Sequence, residues 1–101
     1  MNVVYNKPRG TYIVAQKKGD YVKIGVTVNL AHRLKQLQLD SPFELYEIFW
    51  LPYNDIENQL KREFKELHVR GEWYIHGGRV DQFVSEYKEA VNHGYAAVVS
   101  E

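Results

Sequence analysis

The chain predicts an α/β domain of the α+β sandwich type, in which a three-stranded antiparallel sheet is flanked by helices. The order is β-β-α-β-α, followed by a C-terminal helix. Three observations carry that expectation. Two runs rich in β-branched and aromatic residues, 11–15 and 21–27, are separated by a turn containing Gly19. Leu30, Leu34 and Leu37 then recur at helical spacing, and a third apolar run, Leu45 to Leu51, ends at Pro52. Connections this short join elements that are neighbours in space.

Residues 1–9 lack periodicity and contain Pro8, and they read as a lead-in arm. Thr11 to Ala15 is the first strand. Lys17-Lys18-Gly19-Asp20 supplies the turn, and Tyr21 to Thr27 returns as the second strand. Alternation sets Val22, Ile24 and Val26 on the core face and Tyr21, Lys23 and Gly25 on the other. Asn29 or Thr27 caps a helix to about Gln38, with Arg33 at the edge of its leucine stripe. Asp40-Ser41-Pro42 breaks the chain before the third strand. Asn54 or Asp55 caps a second helix whose buried ridge is Ile56, Leu60, Phe64 and Leu67, with Glu57 beside that ridge. Gly71 to Ile75 is a short extended or turn element anchored by Trp73. A third helix is expected over about Val80 to Asn92, stopped by Gly94. One domain, 10–94, is expected, with 95–101 a short tail.

The 101 residues include no cysteine, which excludes a disulfide scaffold, thiolate catalysis and a cysteine-based zinc site. No apolar stretch is long enough to span a membrane and no signal-peptide pattern opens the chain, so a cytoplasmic protein with no membrane partner is expected. The zero net charge hides an asymmetry. Residues 1–39 carry seven basic side chains against Asp20 alone, while residues 40–101 carry six basic and twelve acidic ones. A basic half of this kind suits an anionic partner, and phosphate recognition is the usual reason for it. The four histidines have neither metal-ligand spacing nor cysteine partners.

Phosphodiester hydrolysis needs an activated water, a cation at the phosphate and stabilisation of developing charge. One carboxylate can hold Mg²⁺, which keeps most of its waters, and Glu57 is the candidate. Arg33 offers a planar fork for phosphate oxygens. Tyr12 can position the water, or deprotonate it if neighbouring cations lower its pKa.

Gly10-Thr11-Tyr12 is followed after ten residues by Lys23-Ile24-Gly25-x-Thr27 and then by Leu30-x-x-Arg33-Leu34. Glu57-x-x-Leu60-x-x-x-Phe64 and Gly71-Glu72-Trp73-Tyr74 come later, in that order. Together they resemble the GIY-YIG nuclease superfamily, in particular its small phage-associated branch with a Lys-Ile-Gly second motif and a Gly-Glu-Trp-aromatic ending. The resemblance covers about residues 10–76. It implies a metal-dependent endonuclease using Mg²⁺ or Mn²⁺, with DNA as partner through its phosphate backbone, in a bacterial or phage-infected cell. It maps the first tyrosine to Tyr12, the arginine to Arg33, the metal-binding glutamate to Glu57 and the threonine after the second motif to Thr27. Lys23 stands where the second tyrosine would be and joins the catalytic set, as a phosphate ligand or as a base with a depressed pKa. Thr11 replaces the usual Ile, one β-branched residue for another, and Lys61 stands where the branch often has His. The asparagine that many members carry late in the domain has no counterpart.

Lys17, Lys18, Thr27, His32 and Lys35 are the expected nucleic-acid contacts. His76 is a further candidate for the cleft near Glu57, and Glu72 reads mainly as structural, hydrogen-bonding near Trp73. The alternative function is a catalytically weak or inactive module that binds nucleic acid or a protein partner. A homodimer would let so small a nuclease cut both strands.

Overall fold

A computed structural model describes residues 8–92. Strands β1 (Gly10–Gln16) and β2 (Tyr21–Thr27) form the expected hairpin, and helix α1 (Leu30–Leu39) follows. Strand β3 (Leu45–Leu51) pairs antiparallel with β1 on its other side, with a register shift between Ile13 and Val14. Helix α2 (Glu57–Glu63) runs into a 3₁₀ turn at Lys65–Leu67. Strands β4 (His68–Arg70) and β5 (Trp73–Ile75) then precede helix α3 (Gly78–Asn92). The expected stop at Gly94, the tail 95–101 and residues 1–7 of the lead-in arm lie outside the described residues.

The sheet has five strands rather than three, in the order β3-β1-β2-β5-β4. The two further strands have three residues each, too few for alternation to register: β5 falls in the extended or turn element expected at 71–75, and β4 has no counterpart in the sequence reading. All of β4 is exposed, so it carries no apolar signal. The chain reverses between them at Gly71, whose φ of +53° is open to glycine without a Cβ penalty. The His68 ring bonds the Gly71 carbonyl oxygen at 2.8 Å and braces that turn.

The sheet is covered on both faces. Tyr12, Val14 and Leu45 pack under Leu30, Leu34 and Leu37 of α1. On the other face Ile13, Ala15, Val22 and Ile24 meet Leu60 and Phe64 near α2 and Val80 and Val84 of α3. Burying a side chain of this size stabilises the fold by about 1.5–3 kcal/mol, so the opposed faces of β1 lock its register. A one-residue slip would move Tyr12 to the wrong side.

The cap of α1 is as the sequence suggests, with the Asn29 side chain accepting from the His32 N–H at 3.0 Å. The start of α2 differs. Ile56 occupies the cap position without a side-chain bond, and Asp55 Oδ1 accepts the Glu57 N–H at 3.1 Å. The buried hydroxyl of Thr11 does the rest: it accepts from Ile56 N and donates to Asn54 O, both at 2.8 Å.

Candidate active site

Tyr12 and Gly25 are direct partners across β1 and β2. The phenol ring lies over the glycine so closely that a Cβ there would sit 2.6 Å from Tyr12 Cζ, and nearer still to the phenol oxygen. Glycine in the second motif is thus the condition for the tyrosine of the first to lie flat across the sheet. The ring is 1% exposed. From α1, Arg33 Nε donates to the phenol oxygen at 3.4 Å, a long bond of the kind that tightens when a ligand arrives.

Two carboxylates complete the cluster. Glu57 opens α2 where Thr11 anchors the preceding backbone, and only 17% of its side chain is exposed. Glu72 follows the Gly71 turn, and its backbone carbonyl accepts from Ile24 N at 3.0 Å. The negative charge of Glu72 acts on the Glu57 carboxyl. Glu57 therefore has a raised pKa: burial raises it most, Lys61 opposes this, and the like charges of Glu72 and Asp55 add to it. Lys61 Nζ approaches Glu57 at 3.8 Å, one helical turn away. Tyr74 feels the same pair, its phenol pKa raised by burial and then by Glu57 and Glu72.

Tyr12 departs from the sequence expectation. Its pKa is raised, not lowered, because burial outweighs the Arg33 hydrogen bond, and Glu72 and Glu57 add to the rise. The phenol keeps its proton at neutral pH, which suits the water-positioning alternative for Tyr12 better than the base alternative. Its bond to Arg33 in turn raises the guanidinium pKa, and Arg33 stays charged.

Lys23 sits on the same sheet face as Tyr12 but in different company from that expected. Its ammonium is 3.9 Å from Glu72 Oε1 and 5.2 Å from the centre of the Trp73 ring, and 18% of its side chain is exposed. The remaining basic candidates scatter. Lys17, at the hairpin turn, pairs with Glu44 at 3.3 Å, and Lys18 is exposed beside it. Thr27 folds its hydroxyl onto the Asn29 backbone, accepting from its N–H at 3.2 Å. His32 is exposed in the first turn of α1, and Lys35 lies two residues past Arg33, on another side of that helix. His76 bonds Asp81 of α3 at 2.7 Å.

Glu72, expected mainly as a structural residue near Trp73, also acts electrostatically on Glu57, and Thr11 anchors the backbone before Glu57. The Gly-Glu-Trp-aromatic motif was the available signal for Glu72. For Thr11 there was none, since a sequence does not say what a hydroxyl meets.

Among the described residues no group of three or more His, Cys, Asp or Glu side chains could hold a metal. Glu57 and Glu72 nevertheless form an oxygen donor pair whose charges repel. A hard cation that takes one or two carboxylates and keeps its waters fits that pair. No described helix is long and apolar enough to cross a membrane.

No curated protein and no solved structure matches the chain. A family model does, over residues 10–93: the T5orf172 domain, a phage-associated domain related to GIY-YIG-like folds, which suggests a nuclease-like or DNA-binding module. The match takes in Tyr12, Arg33, Glu57 and Glu72, and nearly the whole chain with them. The chain belongs to the T5orf172 domain family.

Proposed function

We propose that the chain is a metal-dependent endonuclease that hydrolyses DNA phosphodiester bonds by nicking or cleavage. One observation carries the reading: the Arg33 guanidinium bonds a buried phenol, and that phenol feels the charges of Glu72 and Glu57. Arg33 binds a non-bridging phosphate oxygen and stabilises the charge that grows there during attack. Tyr12 accepts from Arg33 and has its own proton free to donate, which orients the phosphate or the attacking water. Lys23 adds positive charge at the rim. Glu57, with Glu72 beside it, would hold Mg²⁺ or Mn²⁺. When bound, the metal polarises the phosphoryl group and acidifies a water. A second copy of the chain is the expected means of cutting both strands.

The test is conversion of supercoiled plasmid to nicked or linear forms by the purified protein with Mg²⁺ or Mn²⁺. Arg33→Ala and Glu57→Ala are expected to abolish it while the fold is retained. Failure of the wild-type chain to cut any DNA form would refute the enzyme. A second reading, DNA binding without cleavage, is favoured by the engagement of Lys23 with Glu72 and Trp73 where a second phenol is usual. Salt-sensitive binding that is indifferent to Glu57→Ala would support it.

A further inference from the structure

A groove of about 430 Å³ opens beside the carboxylate–phenol cluster. Arg33 and Lys23 line it, so it is continuous with the proposed phosphate site. Trp73, Phe43, Gln16 and Gln36 also line it, as does Asp40 with the 40–42 turn. The volume falls in the lower part of the range for small-molecule clefts. Phe43 is 41% exposed, yet its backbone is pinned. Its carbonyl oxygen accepts from Gln38 Nε2 and Ser41 Oγ at 3.0 and 2.8 Å, and its N–H donates to Ser41 Oγ at 3.1 Å. A large exposed aromatic on so braced a loop is presented to something. Trp73 offers a second aromatic surface, with the Lys23 ammonium over its ring. The exposed Gln36 amide supplies a donor and an acceptor. Gln16 Oε1 is buried against Gly19 at the hairpin turn, so only the rest of that side chain borders the groove.

Bare phosphate has no use for aromatic surfaces, and a base pair within a duplex does not present its faces to a groove. An unstacked nucleobase suits these features: stacking on Trp73 or Phe43, an edge contact to Gln36, and its phosphate toward Arg33 and Lys23. We propose that this groove receives one unpaired nucleobase next to the scissile phosphate. The preferred substrate is then DNA carrying an unpaired nucleotide, as at a flap, gap or branch. The assignment rests on the nuclease reading, which sets the phosphate at Arg33.

The test compares a gapped duplex bearing one unpaired thymine with the same duplex bearing an abasic residue there. Binding is measured by anisotropy with the Glu57→Gln chain, a substitution chosen to stop cutting. The base is expected to tighten binding roughly five- to 150-fold, the worth of one stacked base. Phe43→Ala and Gln36→Ala, both at exposed positions, should erode that preference while leaving affinity for the abasic duplex intact. With 2-aminopurine as the unpaired base, its fluorescence should be quenched on binding. Equal affinity for the two duplexes overturns the proposal, as does a Phe43→Ala defect of equal size on both. Wild-type plasmid nicking separates the two failures. If nicking persists without base discrimination, only the groove assignment falls. If the chain neither nicks nor binds any DNA, the nuclease reading falls and the groove with it.

Discussion

Gly25→Ala tests whether the packing of Tyr12 dictates the second motif. In an ordinary strand, replacing glycine by alanine stabilises by about 0.5–1 kcal/mol, because the unfolded chain loses freedom and a methyl gains contacts. Here the new Cβ meets Tyr12 Cζ at 2.6 Å and Cε2 at 3.0 Å. The ring has nowhere to retreat, because Leu30, Leu34 and Trp50 pack on its cluster. Overpacking of this sort costs about 1–3 kcal/mol. Set against the intrinsic gain, the net loss is about 1–2 kcal/mol, a fall in Tm of roughly 4–16 °C for a domain of this size. In a Tyr12→Leu background the same substitution meets no ring and should stabilise by about 0.5–1 kcal/mol. Thermal or urea unfolding of the four proteins in the cycle gives the coupling energy, expected at about 2 kcal/mol. Equal effects of Gly25→Ala in both backgrounds would refute the argument. So would a Gly25→Ala single variant more stable than wild type.

Thr11→Val keeps the shape of the side chain but removes the hydroxyl that accepts from Ile56 N–H and donates to Asn54 C=O. It should cost about 1–3 kcal/mol by urea unfolding and lower nicking beyond what Thr11→Ser does, since Ser keeps the hydroxyl. Glu57→Gln should stabilise the metal-free protein at neutral pH, measured by Tm in chelator. The folded pKa of Glu57 is raised above the ordinary 4.5 even with Lys61 beside it, so ionising Glu57 disfavours the folded state. The contribution of Glu57 to stability is full below 4.5 and is lost as pH rises through its folded value. The advantage of the variant should therefore vanish in acid, and a constant gap at all pH values would contradict this. Glu72→Gln should bring the Glu57 pKa down, read by carboxyl NMR titration. No change would mean that the two carboxyls are not coupled.

The legible part of the fold was the part with long periods. Strands of seven residues at Gly10–Gln16, Tyr21–Thr27 and Leu45–Leu51 give three alternations each, and Asn29 announces its helix through a cap that works locally. Strands of three residues give almost none, so β4 escaped and β5 showed only as an extended or turn element. With their pairing escaped the reason that Glu72 belongs to the site, since a glutamate in a turn is ordinary until the pairing of Trp73 with Lys23 brings it to Glu57. The sequence also offers the cations around Tyr12 but not the burial that outweighs them, and so the expected direction of its pKa was reversed. Thr11 is the sharpest case. As a β-branched residue it is interchangeable with Ile, and as a hydroxyl between two backbone groups it is not.

The carboxylate pair is shared between parts of the molecule of unequal endurance. Glu57 stands on backbone anchored to the central strand, whereas Glu72 rides on the outermost and shortest hairpin of the sheet. Sheet margins with few pairing bonds and exposed side chains open at lower free energy than the whole domain. Transient detachment of that hairpin would withdraw the Glu72 carboxylate and Trp73 while Tyr12, Arg33 and Glu57 stay on their own elements. Warming should therefore silence the chemistry some degrees before the protein melts, with amides of 68–75 exchanging faster than those of β1. The catalytic ceiling would then be set by a margin of the sheet, not by its core.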